Sequence, residues 1–173
     1  MANWKKPQPG EVFPYQEKYI ALVEGDDVLE MLSQHVQQTI DMLAGIDEQK
    51  ALFRYAPGKW SVKEVLQHLI DTERIMCYRA LRFARKDKTP LPGFEENDYA
   101  PVSMADNRSM VSLLQEFAAV RHATIMLFES FTDDMIARTG TGNGKEISVN
   151  ALGFIIVGHE LHHMKLFKEK YLI

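Results

Sequence analysis

The fold class predicted by this sequence is all-α, a four-helix bundle, and three observations predict it. Four long stretches carry apolar residues at spacings of three and four, and Gly- and Pro-rich segments separate them. Only Tyr19–Val23, "YIALV", reads even weakly as strand. Amphipathic helices of this length bury their stripes best against one another. A chain of 173 residues suits one domain, 1–173, with a real core.

The first helix is expected from about Asp27 to Ala44, with Leu29, Leu32, Val36, Ile40 and Leu43 on one stripe and Gly45 as its stop. Before it lies an irregular N-terminal segment. The second has the clearest start, because "SVKE" at Ser61–Glu64 is a capping box in which hydroxyl and carboxylate each satisfy a free backbone amide. It runs to about Ala84. The stretch "KDKTPLPGFEENDYAP" then makes a long irregular helix 2–3 connection, so these two helices need not be simple antiparallel neighbours. The third helix spans roughly Asn107–Phe131. "RTGTGNGKEIS" ends it and reads as a flexible connector, and the fourth runs from Ser148 to the C-terminus.

Composition excludes several classes. A net charge of −4, with basic residues scattered among acidic ones, argues against nucleic acid as a partner. No apolar run reaches the roughly 18 residues of a membrane span, and the N-terminus lacks the apolar core of a signal peptide. The lone Cys77 excludes an internal disulfide framework, so a cytoplasmic location is expected. Exposed aromatic and methionine positions at helix ends allow a homodimer.

The chemistry concentrates in "GHELHHM", Gly158–Met164. His159 and His163 are four apart, so on a helix they lie one turn apart and about 40° around the axis, able to share an ion. They continue the apolar stripe of Leu152, Ile155 and Ile156. A single buried histidine usually bonds an ordinary acceptor. A pair joined by His68, on the inward stripe of the second helix, instead makes a three-nitrogen site with open coordination positions. His162, next to His163, is an alternative ligand. Three imidazoles bind metal only when deprotonated, so affinity is expected to fall near pH 6 to 6.5.

His159-Glu160-x-x-His163 is also the zincin protease motif, but only Leu161–Ile173 follow it, too little for the distant third ligand. Glu160 keeps a candidate catalytic role toward a nucleophile, against the plainer reading of a solvated carboxylate at a helix edge. "TGNGKE" lacks the glycine and hydroxyl spacing of a phosphate loop. Arg79 and Arg121 fall on inward stripes and need either carboxylates (Asp71, Glu73 and Glu116 are candidates) or an anionic substrate. Tyr99, with Trp60 and Phe94, borders the ends of the second helix and is a candidate for the mouth of a pocket.

These residues carry a resemblance. The runs Tyr55–Tyr99, with Trp-Ser-x-x-Glu-x-x-x-His, and Gly144–Leu172, with His-x-x-x-His, resemble the DinB/YfiT-like superfamily over almost the whole chain. The resemblance implies a bacterial, up-and-down DinB-like bundle holding a divalent metal ion, nickel or zinc, on His68, His159 and His163. It also implies relatives that are thiol S-transferases using a low-molecular-weight thiol. The expected function is therefore a metal-dependent transferase or hydrolase on a small-molecule substrate. The competing expectation is a stress-response bundle that binds metal or a small ligand without catalysis. A purely structural bundle with bonded core histidines is the third.

Overall fold

The structure, a computed structural model, describes residues 2–173. Its four long helices are α2 (Val28–Ala44), α4 (Val62–Ala84), α6 (Met110–Glu129) and α8 (Val149–Leu166). Shorter helices accompany them: α1 (Pro14–Ile20), α3 (Glu48–Ala51), α5 (Glu96–Val102) and α7 (Asp133–Ile136). Each long helix starts on a side-chain cap, Asp27, Ser61, Ser109 or Ser148, which accepts from the amide three residues on. At Ser61 the capping box is complete, with Glu64 accepting from the Ser61 amide at 2.8 Å. Among the described residues no helix is long and apolar enough to cross a membrane.

The bundle is not the up-and-down arrangement implied by the resemblance. Helices α2 and α4 both pack on α6 and α8, so α2 and α4 sit diagonally. Residue pairs between α4 and α6 or the residues just before it advance together (Gln67 with Arg108, Arg74 with Glu116, Cys77 with Thr124), so these neighbours are parallel. Helix α8 runs against α4, since His68 meets His159 while Arg138, bonded to the start of α8, holds the carbonyl of Ala84. It runs along α2, where Val28 approaches Gly153 and Thr39 bonds Glu160. The order is up, down, down, up. A chain leaving the 23-residue α4 must therefore travel back about 35 Å before α6 can begin. That return is the reason for the long connection.

The segment expected to be a flexible connector is instead a β-hairpin. β1 (Thr139–Gly142) pairs antiparallel with β2 (Lys145–Ser148), and the turn between them holds Asn143 at φ 51° and Gly144 at φ 77°. Asn-Gly supplies both positive φ angles of the tight turn whose twist matches a hairpin. A Cβ at Gly140 would stand 2.1 Å from the Phe83 ring, so the hairpin lies directly on α4. "YIALV" forms the end of α1 and the following turn rather than a strand. The irregular N-terminus thus contains a helix, and it is pinned. A Cβ at Gly158 would stand 2.4 Å from the Tyr19 carbonyl oxygen, which fixes α1 against α8.

The core has two apolar clusters. One gathers Val28, Leu32, Phe83, Phe128 and Phe154; the other gathers Leu43, Leu66, Leu113, Phe117 and Phe167. Every long helix contributes to both and passes between them through buried polar residues: Thr39, Glu73, Arg121 with Thr124, and His159 with Glu160. The functional residues lie at this height.

Candidate metal centre

Three imidazoles converge at one edge of the polar layer. His68 Nε2 lies 3.0 Å from His159 Nε2, and His163 Nε2 lies 3.1 Å from the same atom. His159 and His163 are each 7% exposed. One donor nitrogen from each of the three rings falls within 4.8 Å of the others. The helical repeat brings His159 and His163 together, and the antiparallel pairing of α4 with α8 supplies His68.

Ordinary hydrogen bonding does not satisfy this cluster. An imidazole Nε2 has a single in-plane direction, either a proton or a lone pair, so His159 cannot bond both neighbours at once. Among the described residues no carboxylate bonds any of the three, and His163 Nδ1 is buried with no partner. Two nitrogens bound to one ion at about 2.0–2.1 Å lie roughly 3.0–3.4 Å apart, the spacing of the His68–His159 and His159–His163 pairs. The donor set therefore fits a metal better than it fits a hydrogen-bonded core. Trp60 packs against His68 at 4.9 Å between ring centres, and Thr72 Oγ1 stands 3.4 Å from His68 Nδ1, which steadies the ring. His162 stays outside the cluster, half-buried beside Tyr19.

Burial, and then the neighbouring histidines, hold all three imidazoles toward the neutral form. His68 is lowered to about 4, and His159 and His163 fall well below their ordinary value. The acid window consequently lies lower than the pH 6 to 6.5 expected from free imidazole. Above about pH 7.5 both folded and unfolded chains hold neutral rings, and these three histidines add no pH dependence. Below it the unfolded chain takes up protons that the folded chain resists, so stability falls as pH drops toward about 4. The expected result is that dialysis at pH 5.5 leaves bound metal in place, while the melting temperature of chelated protein declines steadily from pH 6.5 downward. Metal release at pH 6 from a still-folded chain would contradict it.

Glu160 is not solvated. It is 1% exposed, accepts from Thr39 Oγ1 at 2.7 Å, and lies 2.8 Å from Arg121 Nη1 in a charge contact. That Nη1 donates to the Leu32 carbonyl at 3.1 Å, so its contact with Glu160 is one of charge more than of hydrogen-bond direction. Oε1 is taken by Thr39 and Oε2 faces the Arg121 charge without a hydrogen bond, so Glu160 serves a buried ion-pair network rather than a solvated helix edge. Arg121 is likewise committed. Nε and Nη2 fork onto Glu73 at 2.9 Å each, and Thr124 also donates to Glu73 at 2.6 Å. Burial would lower the Arg121 pKa, but Glu160 and Glu73 hold it above its ordinary value. The substrate contact expected of Arg121 has no free guanidinium edge to use. Cys77 bonds Thr124 at 3.1 Å, and burial pushes its thiol up to about 12, so it is no nucleophile.

A cleft with about 530 Å³ of open space, solvent at its mouth included, opens onto His68 and His159, with Arg79 also in its wall. Residues not anticipated from sequence complete it: Tyr15, Gln16 and Tyr19 from α1, and Asn143 from the hairpin turn. Pro14 at the first helical position and Gln16 at the third were signals for α1. Tyr99 lies instead in a narrow side pocket with Phe94 and His68. A shallower depression of about 550 Å³ reaches His163 from another side, past Tyr55, Trp60 and Tyr171.

Comparison with known proteins agrees with this architecture. The model of the DinB superfamily matches residues 27–167. A protein of Oceanobacillus iheyensis, provisionally named a metal-dependent hydrolase, is 22% identical over 83% of this chain and 84% of its own length. A protein of Geobacillus thermodenitrificans with the same provisional name is 29% identical over 74% of this chain and 75% of its own. Among solved structures, YfiT from Bacillus subtilis is described as a probable metal-dependent hydrolase with an unusual four-helix bundle topology. It superposes with a TM-score of 0.71 at 16% identity, over 95% of this chain and 93% of that one. The mycothiol-dependent maleylpyruvate isomerase gives 0.66 at 11% identity, over 79% of this chain and 57% of that one.

Proposed function

The chain belongs to the DinB superfamily, and from that premise we propose that it is a metal-dependent enzyme acting on a small molecule, with hydrolysis as its reaction. His68, His159 and His163 hold a divalent ion, nickel or zinc, both of which suit imidazole. One observation carries the reading: three Nε2 atoms meet in a buried cluster that no arrangement of protons satisfies. Such an ion supplies a concentrated positive charge that makes water or a thiol a stronger nucleophile near neutral pH.

The chain's own residues do the rest. Three neutral imidazoles leave that charge undiminished, and Trp60 and Thr72 hold His68 in line. The cleft walls limit the substrate to metabolite size. The provisional names of the two bacterial relatives favour hydrolysis. Group transfer from a low-molecular-weight thiol is the second reading, favoured by the depression on the His163 side, which gives a second reactant its own approach.

A panel of esters, amides and thiol–electrophile pairs, each run with and without chelator, tests both. The expected result is chelator-sensitive turnover of a small ester or amide without added thiol. Turnover only when a thiol is present selects the transferase. Bound metal without turnover in any arm means a binding protein.

A further inference from the structure

We propose that Arg79 builds an oxyanion subsite at one end of the cleft, so that the substrate is a small molecule with a carboxylate or phosphate group at one end and its reacting bond at the other. The inference rests on the reading of His68, His159 and His163 as the reactive centre.

Arg79 is 7% exposed, yet no carboxylate pairs with it among the described residues. Its one firm bond is from Nη2 to the Pro92 carbonyl at 2.8 Å, and Nη1 meets only the Met76 sulfur at 3.9 Å. The acidic side chains near it on α4 and α6 are engaged elsewhere. Glu73 serves Arg121, Glu116 serves Arg74 and Arg108, and Asp71 accepts from Gln67. Glu96, in the cleft lining, is exposed and makes no ion pair with Arg79. Burying a guanidinium without a counter-charge is unfavourable, and the chain keeps this one in the wall of the cleft that opens onto His68 and His159. Burial accordingly lowers its pKa, although an arginine stays charged.

The surroundings fit an anion. Arg79 follows His68 by eleven residues, which returns it to the same face of α4 about 16 Å further along. Helical side chains lean toward the N-terminus, so the guanidinium leans back toward His68 and shortens that gap. The hairpin closes over it. A Cβ at Gly142 would stand 3.4 Å from Arg79 Cδ, and the missing Cβ of Gly93 leaves the space filled by the Asn143 amide, which would otherwise be 2.2 Å away. Arg79 and Asn143 thus both line the cleft, one bringing a buried positive charge and the other a side-chain amide. An oxyanion takes up such donors in a fork, which a lysine cannot reproduce.

Inorganic phosphate and, separately, malonate are titrated by calorimetry into the full chain, as purified and after chelation. At least one anion is expected to bind the chelated protein, and the stronger binder names the group. Arg79→Gln should weaken binding about ten-fold or more, with Arg79→Lys in between. Because no carboxylate is left behind, Arg79→Gln should melt within a few degrees of wild type, and Arg79→Lys serves if it does not fold. Neither anion binding, or equal binding to Arg79→Gln, overturns the subsite. A His163→Ala arm keeps the two readings apart. Arg79-dependent binding that survives there supports the subsite whatever becomes of the metal.

Discussion

Replacing His68 and His163 together with alanine is expected to strip the chain of stoichiometric metal, an affinity loss on the order of 100-fold or more, while leaving the bundle folded. Alanine is the strongest helix former, which offsets part of the cost of leaving Thr72 Oγ1 and His159 Nε2 without their partners. His163 Nδ1 is already without a partner. Metal content by elemental analysis and melting temperature with and without added zinc or nickel are the measurements. Wild type should melt higher when metal is added, because an ion that binds only the folded state stabilises it. The double variant should not respond. Full metal content in the variant would place the ion elsewhere. A collapse of the fold without metal would mean that the rings are ordinary core histidines.

The convergence of these rings was legible in the sequence because it depends on local periodicity. Four residues separate His159 from His163, and that spacing alone puts them on one helix face. His68 required one further step, its place on the inward stripe of α4. The roles of Arg79 and Arg121 were not legible in this way. Both sit on inward stripes, and only the parallel packing of α4 on α6 sets Glu73 against Arg121 and leaves Arg79 without a carboxylate. That packing follows from which diagonal the chain takes, a choice that periodicity does not encode. Asn143-Gly144, by contrast, was a readable hairpin signal. Its flanking strands were too short and glycine-rich to alternate visibly, so the segment read as a loop. The contribution of α1 was hidden for a similar reason: seven residues carry too few apolar positions to show a period.

Arg121→Met is expected to be the most damaging single change in the polar layer, destabilising by about 3–5 kcal/mol in urea unfolding. The guanidinium is 1% exposed and stands between two carboxylates that are themselves almost fully covered. Removing it leaves Glu73 and Glu160 desolvated, held only by Thr124 and Thr39. The loss would come from stranding the acids more than from any net gain the ion pairs provide. Replacing the whole group, Arg121→Met with Glu73→Leu and Glu160→Leu, should therefore recover most of the stability, since apolar side chains of similar volume would join the clusters above and below. The same logic distinguishes the two arginines. Arg79→Met strands no carboxylate and should cost little, although its guanidinium is also buried. A single Arg121→Met variant as stable as wild type would show that the two acids tolerate isolation, and the triple variant would then have nothing to rescue. A triple variant that folds but no longer takes up metal would show that Glu160, next to His159 on α8, also fixes the register of the ligands.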